Sequence, residues 1–153
     1  MNISDAGIEA LQKREGSSLT AYRDSAGLLT IGTGHLLGKD ELSSGKVLGI
    51  DWKDGITPEL AADLLKRDLA AAQAVVNVAI TVPLVQYQFD ALVSFAFNVG
   101  SMAFRQSTLA RILNAGDYVG VPAQLARWIH SAGAVDPGLV TRRKSEIEQW
   151  ENA

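Results

Sequence analysis

The sequence predicts an α+β fold in which one helix and a small sheet come first and only helices follow. Apolar residues recur at helical spacing before residue 16 and again after residue 57. Residues 17–36 instead combine strand-forming residues with turn residues. Because the strands and most helices occupy separate stretches of the chain, we expect segregated layers, which is the α+β arrangement.

The first helix is predicted over residues 5–15. Ile8, Leu11 and Glu15 fall on one face at spacings of three and four, and Gly16 is a natural stop. Glu15 is therefore expected on the apolar side, in the last turn.

The next stretch predicts a β-hairpin or a three-stranded sheet, with a turn at 24–27 (Asp-Ser-Ala-Gly). Gly32 and Gly34 suggest a tight bend where the backbone comes close to another group.

The rest of the chain is predicted to be helical. Thr57 caps a long helix that starts at Pro58 and continues through about Ala79. Further helices are expected over 83–99, 104–114, 120–131 and 138–150.

Composition excludes several classes of protein. The 153 residues suit one compact domain or two small lobes, and a net charge of −3 argues against nucleic acid as the main partner. The chain has no cysteine, no signal-peptide pattern at residues 1–5 and no uncharged run of membrane-spanning length, so no membrane insertion is expected. The basic run Arg142-Arg143-Lys144 is interpreted as a solvated helix face.

Glu15, Asp24 and Thr30 form the most informative group. A carboxyl on an apolar face, at the negative end of a helix dipole, is favoured in its protonated form, which a general acid must hold. Asp24 lies at a strand end or turn and Thr30 on a strand. Each residue alone has an ordinary structural explanation, but a proton donor facing a carboxylate and a hydroxyl could hold a sugar and a water.

His35 is interpreted as a structural residue. No second histidine or cysteine stands at ligand spacing, so no metal and no cofactor are expected. Asp68, on the predicted long helix, is a plausible hydrogen-bond partner for the imidazole.

Several short segments, taken in their order along the chain, resemble the phage-type lysozymes, the glycoside hydrolase family that includes many phage endolysins. The resemblance covers nearly the whole chain. The catalytic segment is matched by Glu15-Gly16, Tyr22-Arg23-Asp24 and residues 30–35 (Thr-Ile-Gly-Thr-Gly-His). The family's core helix is matched from Phe89 to Gly100, and two further segments by residues 113–117 and 138–143.

This resemblance implies a single lysozyme-like domain of two lobes. The small β lobe would cover about 16–57, the linking helix about 58–79, and the helical lobe about 80–153 together with the N-terminal helix.

The resemblance also implies muramidase chemistry on peptidoglycan glycan strands. Glu15 would protonate the leaving oxygen of the β-1,4 bond between N-acetylmuramic acid and N-acetylglucosamine. Asp24, aided by Thr30, would position and activate a water on the opposite face of the sugar, which predicts inversion.

Other positions match family residues around the groove. Leu36 and Phe97 would line it, with core packing as the ordinary alternative, and Thr108 or its neighbour Ser107 would contact a sugar. Arg142 would pair with Glu15.

Two other activities stay open on the sequence. A lytic transglycosylase would use one glutamate and leave 1,6-anhydro ends, which gives Asp24 and Thr30 no evident task. A non-catalytic peptidoglycan-binding protein could also keep the fold.

The resemblance further suggests an endolysin held in the host cytoplasm, released by a holin-type membrane lesion, and acting on the cell wall in the periplasm as a monomer. Use on a phage tail or as a bacterial antagonism effector stays open.

Overall fold

A computed structural model describes residues 1–24 and 26–152, and it confirms the predicted α+β class. The helices of the described chain are α1 Asp5–Glu15, α2 Lys39–Ser44, α3 Pro58–Asp68, α4 Ala70–Ala79, α5 Gln86–Val99, α6 Ser101–Arg105, α7 Thr108–Asn114, α8 Val121–Leu125 and α9 Pro137–Glu151. The strands are β1 Ser18–Arg23, β2 Leu29–Gly32, β3 His35–Leu36, β4 Lys46–Val47, β5 Ile50–Asp51, β6 His130–Ser131 and β7 Ala134–Val135. Ser25, in the predicted turn, lies outside the described residues.

The chain divides into two compact units. We call Ile8–Asp68 the sheet unit, and Met1–Gly7 with the chain from Leu69 onward the helical unit. The first turn of α1 belongs to the helical unit and the remainder, including Glu15, to the sheet unit.

The sheet unit is built on a three-stranded antiparallel sheet in the order β1-β2-β3. Ile31 on the central strand and Leu64 on α3 are fully buried, and Leu60 on α3 is buried as well. These side chains share one apolar cluster, which also contains Leu37, Val47, Trp52, Ile56 and Ala61. One face of the sheet is therefore closed by α3, and the residues that alternate with Ile31 lie on the other face.

The helical unit is organised around α5. Residues 89–96 of this helix are all buried, which explains why an amphipathic pattern is weak there. α4 and α9 pack against α5. The ring of Phe95 meets Phe104 at 6.0 Å and Trp128 at 5.4 Å, both edge-on, an arrangement that aromatic pairs prefer.

The structure differs from the predicted boundaries in four places. The helix expected over 58–79 is present as α3 and α4, which meet at buried Leu69, where ψ is −10°. The following helix begins at Gln86 instead of Pro83, because Val85 is extended and its N–H donates to the Gln88 side chain.

The third difference is the helix expected over 104–114, which is divided between α6, ending at Arg105, and α7, beginning at Thr108. The fourth is the helix expected over 120–131, which is the short α8 followed by the β6–β7 hairpin. Ala132 and Gly133 form its turn with φ of 52° and 81°. Alanine is an uncommon residue for this conformation, so the turn gave no signal in the sequence.

Within the described residues, no helix combines the length and apolarity needed to cross a membrane.

Candidate active site

Glu15 is the last residue of α1, and its side chain is half-buried. Gly16 ends the helix in the left-handed conformation, with φ of 70°. Glu15 lines a depression of about 240 Å³ in the sheet unit, together with Gly16, Ser17, Ser18 and Tyr22. The helix end therefore presents a carboxyl group at an open concave surface.

Gly34 lies against this carboxyl group. A Cβ placed on Gly34 would stand 3.5 Å from Glu15 Oε2, and the φ of Gly34 is 68°. The close approach expected from the two glycines of the bend is thus present at Gly34, and the group that it approaches is Glu15.

The strand register brings Tyr22, Thr30 and Leu36 into one row across the sheet. Tyr22 pairs with Thr30, and Thr30 pairs with Leu36. Paired residues of antiparallel strands point to the same face, and this face is opposite to that of Ile31. Leu36 is 51% exposed, so this row faces away from α3 and is open to a ligand at Leu36.

Asp24 follows β1 directly, and its N–H donates to Leu28 O at 2.9 Å, which extends the ladder by one residue. Alternation places Asp24 on the same face as Tyr22. Its carboxylate oxygen Oδ1 accepts from the N–H groups of Ala26 and Leu28, both at 2.9 Å. This is an Asx-type turn, which fixes the orientation of the carboxylate.

Thr30 is 3% exposed and its hydroxyl donates to Leu28 O at 3.0 Å. Because the single hydroxyl proton is used in this bond, the oxygen can serve only as an acceptor for another partner. Leu28 therefore links Asp24 and Thr30, since its N–H holds the carboxylate and its C=O orients the hydroxyl.

His35 lies between two carboxylates of the sheet unit. Its Nδ1 is 2.7 Å from Asp68 Oδ2, the partner that the sequence suggests, and its Nε2 is 2.9 Å from Glu41 Oε1. The hydrogen bond to Asp68, aided by Glu41, raises the pKa of His35 above 6.5 against the opposing effect of burial. Burial alone would raise the pKa of Glu41, but the Gly38 N–H, His35 and Arg67 together lower it.

We call His35, Asp68 and Glu41 the histidine cluster. Glu41 is the member that sequence reasoning missed. Its position at the third residue of α2, where its side chain also accepts from the Gly38 N–H at 2.8 Å, is a capping signal that could have drawn attention to it.

The helical unit holds the other predicted substrate contacts. Phe97 is half-buried near the end of α5, and Thr108 is exposed at the first position of α7. Ser107 is 6% exposed and serves as the helix cap, donating to Phe104 O at 2.6 Å and accepting from the Ala110 N–H. Of the two neighbouring hydroxyls, only that of Thr108 is open to solvent.

The interpretation of residues 142–144 as a solvated face is wrong for Arg142 and Arg143. They are 8% and 1% exposed, whereas Lys144 is exposed. The Arg142 guanidinium donates to Ser94 O at 3.1 Å and lies 3.6 Å from Glu146. Its expected pairing with Glu15 stays a prediction.

Glu146 is fully buried and is the centre of what we call the glutamate cluster, formed with Ser94, Arg142 and Arg143. Glu146 accepts from Ser94 Oγ at 2.6 Å and from the Arg143 guanidinium. Arg143 also donates to Asn98 and stacks over Phe95, 4.9 Å from the ring centroid. The spacing of three and four residues from the two arginines to Glu146 was a sequence signal for the ion pairs, but not for their burial.

The site of the sheet unit thus combines a carboxyl group at a helix end, a fixed carboxylate and an acceptor hydroxyl, with a sheet face open at Leu36. A carboxyl group can donate a proton, and a carboxylate with an acceptor hydroxyl can orient a water, so this set of groups is compatible with the hydrolase class of proteins on an α+β scaffold.

Comparison with known proteins identifies the family. Residues 12–146 match the phage lysozyme family, and the chain belongs to it. A relative named endolysin, from Acyrthosiphon pisum secondary endosymbiont phage 1, is 38% identical over 157 residues and covers the whole of both chains. A SAR-endolysin of Escherichia phage Mu is 39% identical over 93% of this chain and 77% of its own.

Among solved structures, a P22 lysozyme mutant superposes with a TM-score of 0.85 and 37% identity, covering 99% of each chain. The chain is accordingly a phage-type lysozyme, a peptidoglycan hydrolase.

Proposed function

We propose that this chain is an inverting N-acetylmuramidase that uses Glu15 as general acid and Asp24 with Thr30 to hold the attacking water. The observation that carries the proposal is the arrangement around Leu28, which fixes the Asp24 carboxylate and turns the Thr30 oxygen into an acceptor.

The acid step belongs to Glu15. Its proton passes to the glycosidic oxygen as the bond from C1 of N-acetylmuramic acid breaks, so N-acetylglucosamine leaves as a neutral alcohol. The half-buried carboxyl at the depression supports this role, because it is accessible to a sugar and shielded from part of the solvent.

The water step belongs to Asp24 and Thr30. One proton of the water would bond to Thr30 Oγ1 and the other to the Asp24 carboxylate, which directs the oxygen lone pair at C1. As the new C–O bond forms, Asp24 takes the water proton. The configuration at C1 is then inverted.

The test is the nature of the released ends. Wild type, Glu15→Gln, Asp24→Asn and Thr30→Ala act on Gram-negative peptidoglycan, and the products are identified by mass spectrometry, with the anomer of the first product followed by NMR. Glu9→Gln, an exposed glutamate on the same helix, is the matched control. We expect reducing muramic ends of the α anomer, a loss of at least about 100-fold for Glu15→Gln, and no loss for the control.

Each alternative has its own outcome. Anhydro ends would identify a lytic transglycosylase and remove the role given to Asp24 and Thr30. Absence of cleavage by well-folded wild type would identify a peptidoglycan-binding protein. A β anomer as first product would contradict inversion.

For the cellular role, we infer an endolysin that waits in the host cytoplasm and reaches the wall in the periplasm through a holin-type lesion, as a monomer. Expression in a bacterial host with and without a permeabilising agent tests this route. Lysis that needs the agent supports it, whereas spontaneous lysis would favour self-export, the property suggested by the name of the SAR-endolysin relative. A dimer in light scattering would contradict the monomer.

A further inference from the structure

The loop that carries Asp24 has an attachment that the proposed chemistry does not use. The Arg23 guanidinium donates from Nη1 to Gly27 O at 2.9 Å. The described loop residues after Asp24 are exposed, and a Cβ placed on Gly27 would meet no described atom within 4 Å beyond its chain neighbours. Packing therefore contributes little to the geometry of this loop, which depends on its hydrogen bonds.

Arg23 and Asp24 hold opposite ends of one peptide group. The C=O of Gly27 and the N–H of Leu28 belong to the same planar unit, so fixing the direction of one fixes that of the other. Arg23 binds the C=O end, while the N–H end donates to Asp24 Oδ1 at 2.9 Å. A cation on the C=O also polarises the peptide group and strengthens its N–H as a donor. The bond from Arg23 is thus coupled to the orientation of the carboxylate.

Arg23 lies on the side of the sheet that is remote from the proposed substrate. Successive residues of an extended chain point to opposite faces, so Arg23 lies on the other face from Asp24. The face of Asp24 is the one that is open to a ligand at Leu36. Any effect of Arg23 on the reaction would therefore pass through the Gly27–Leu28 peptide group.

We infer that Arg23 is a positioning residue for the hydrolysis, which acts through the Gly27–Leu28 peptide group on the Asp24 carboxylate. This inference rests on the proposed function, in which Asp24 holds the attacking water. The effect extends to Thr30, because the Leu28 C=O accepts from the Thr30 hydroxyl at 3.0 Å. Loss of the Arg23 bond leaves the sugar bound but misdirects the water, which lowers kcat and not KM.

Kinetics on peptidoglycan compare wild type with Arg23→Met, which keeps an unbranched side chain but removes the donor groups. We expect kcat to fall about tenfold with KM unchanged, and Arg23→Lys, which keeps a cationic donor, to recover most of the loss. Arg105→Met removes an exposed arginine of the helical unit and is the control for charge. A loss confined to KM, or an equal loss in Arg105→Met, would overturn the inference.

A double-mutant cycle separates this inference from the proposed function. If Arg23 acts through Asp24, Arg23→Met costs little further activity in the Asp24→Asn protein, because the carboxylate that it orients is already removed. Additive losses, or a normal kcat in Arg23→Met beside an impaired Asp24→Asn, would overturn the inference and leave the muramidase proposal intact. Wild-type activity in Asp24→Asn would instead overturn the role that the proposed function gives to Asp24.

NMR of the Leu28 backbone amide tests the same link without any cleavage. We expect Arg23→Met to move the Leu28 N–H signal to lower frequency and to speed its exchange with solvent, because the peptide group is no longer held and polarised at its C=O. Arg23→Lys should restore both properties, and Arg105→Met should leave them unchanged. A Leu28 signal that is the same in wild type and in Arg23→Met would overturn the inference.

Discussion

The sheet unit and the helical unit each contain a charged cluster, and the two clusters differ in burial. In the histidine cluster the side chains of His35, Asp68 and Glu41 are 15%, 23% and 23% exposed. In the glutamate cluster Glu146 is fully buried and Arg143 nearly so.

This difference separates two kinds of charge. Glu146 and its arginines form buried ion pairs, and removing one partner would leave a buried charge with less compensation in an apolar interior. The imidazole of His35 is a titratable group, and the folded structure raises its pKa above 6.5. We therefore expect the helical unit to be sensitive to mutation of its cluster, and the sheet unit to be sensitive to pH.

The largest expected effect is that of Glu146→Gln. The substitution keeps the shape but removes the buried carboxylate that Arg142 and Arg143 contact, so we expect a loss of about 3–5 kcal/mol in the free energy of unfolding. Urea denaturation measures it. Glu148→Gln, exposed on the same helix, is the control and should stay within about 0.5 kcal/mol of wild type. A loss below about 1 kcal/mol for Glu146→Gln would contradict the expectation that the helical unit is sensitive to mutation of its buried cluster.

The second effect is the pH-dependent loss in Asp68→Asn. Because the folded state raises the pKa of His35, the folded protein binds more protons than the unfolded chain just above pH 6.5. The stabilisation is complete below the unfolded pKa of about 6.5 and is lost as the pH rises through the folded value. Asp68→Asn should thus cost about 1–3 kcal/mol at pH 6 and clearly less at pH 9. Equal losses of stability at pH 6 and pH 9 would show that the bond to protonated His35 is not what Asp68 contributes to stability.

The third effect has the opposite pH dependence. The pKa of Glu41 is lowered in the folded state, so its contribution is present above the unfolded value of about 4.5 and disappears as the pH falls through the folded one. We expect Glu41→Gln to cost about 1 kcal/mol at pH 6 and progressively less as the pH falls below about 4.5. Thermal denaturation across this range measures the change, and a loss that stays constant as the pH falls would assign Glu41 a packing role instead.

The smallest dependence on pH is expected for a neutral cap in the helical unit. Ser107→Ala removes the bond to the Ala110 N–H and should cost about 1 kcal/mol at every pH. Thr108→Ala, at the exposed neighbouring position, should leave the Tm unchanged and raise KM on glycan strands if Thr108 contacts sugar. If the loss of stability in Ser107→Ala depended on pH, the expected difference in pH sensitivity between the sheet unit and the helical unit would be contradicted.

Much of the fold was predictable from local patterns. α1 has the predicted bounds, because the apolar spacing and Gly16 define both its face and its end. The three-stranded sheet followed from strand-forming residues between glycines. The predicted helix boundaries were wrong where the cap or turn is made by residues that are not typical of it, as at the Val85–Gln88 cap and the Ala132-Gly133 turn.

The sequence by itself determined the order of helix, sheet and helices, the position of Glu15 at a helix end, and the motifs that identify the family, because these depend on residues close together in the chain. Tertiary structure alone decided which charges are buried. Ser94 meets Glu146 across 52 residues and His35 meets Asp68 across 33. Whether an arginine such as Arg143 lies in solvent or in the core depends on what the folded chain brings to it, and local spacing carries no information on that.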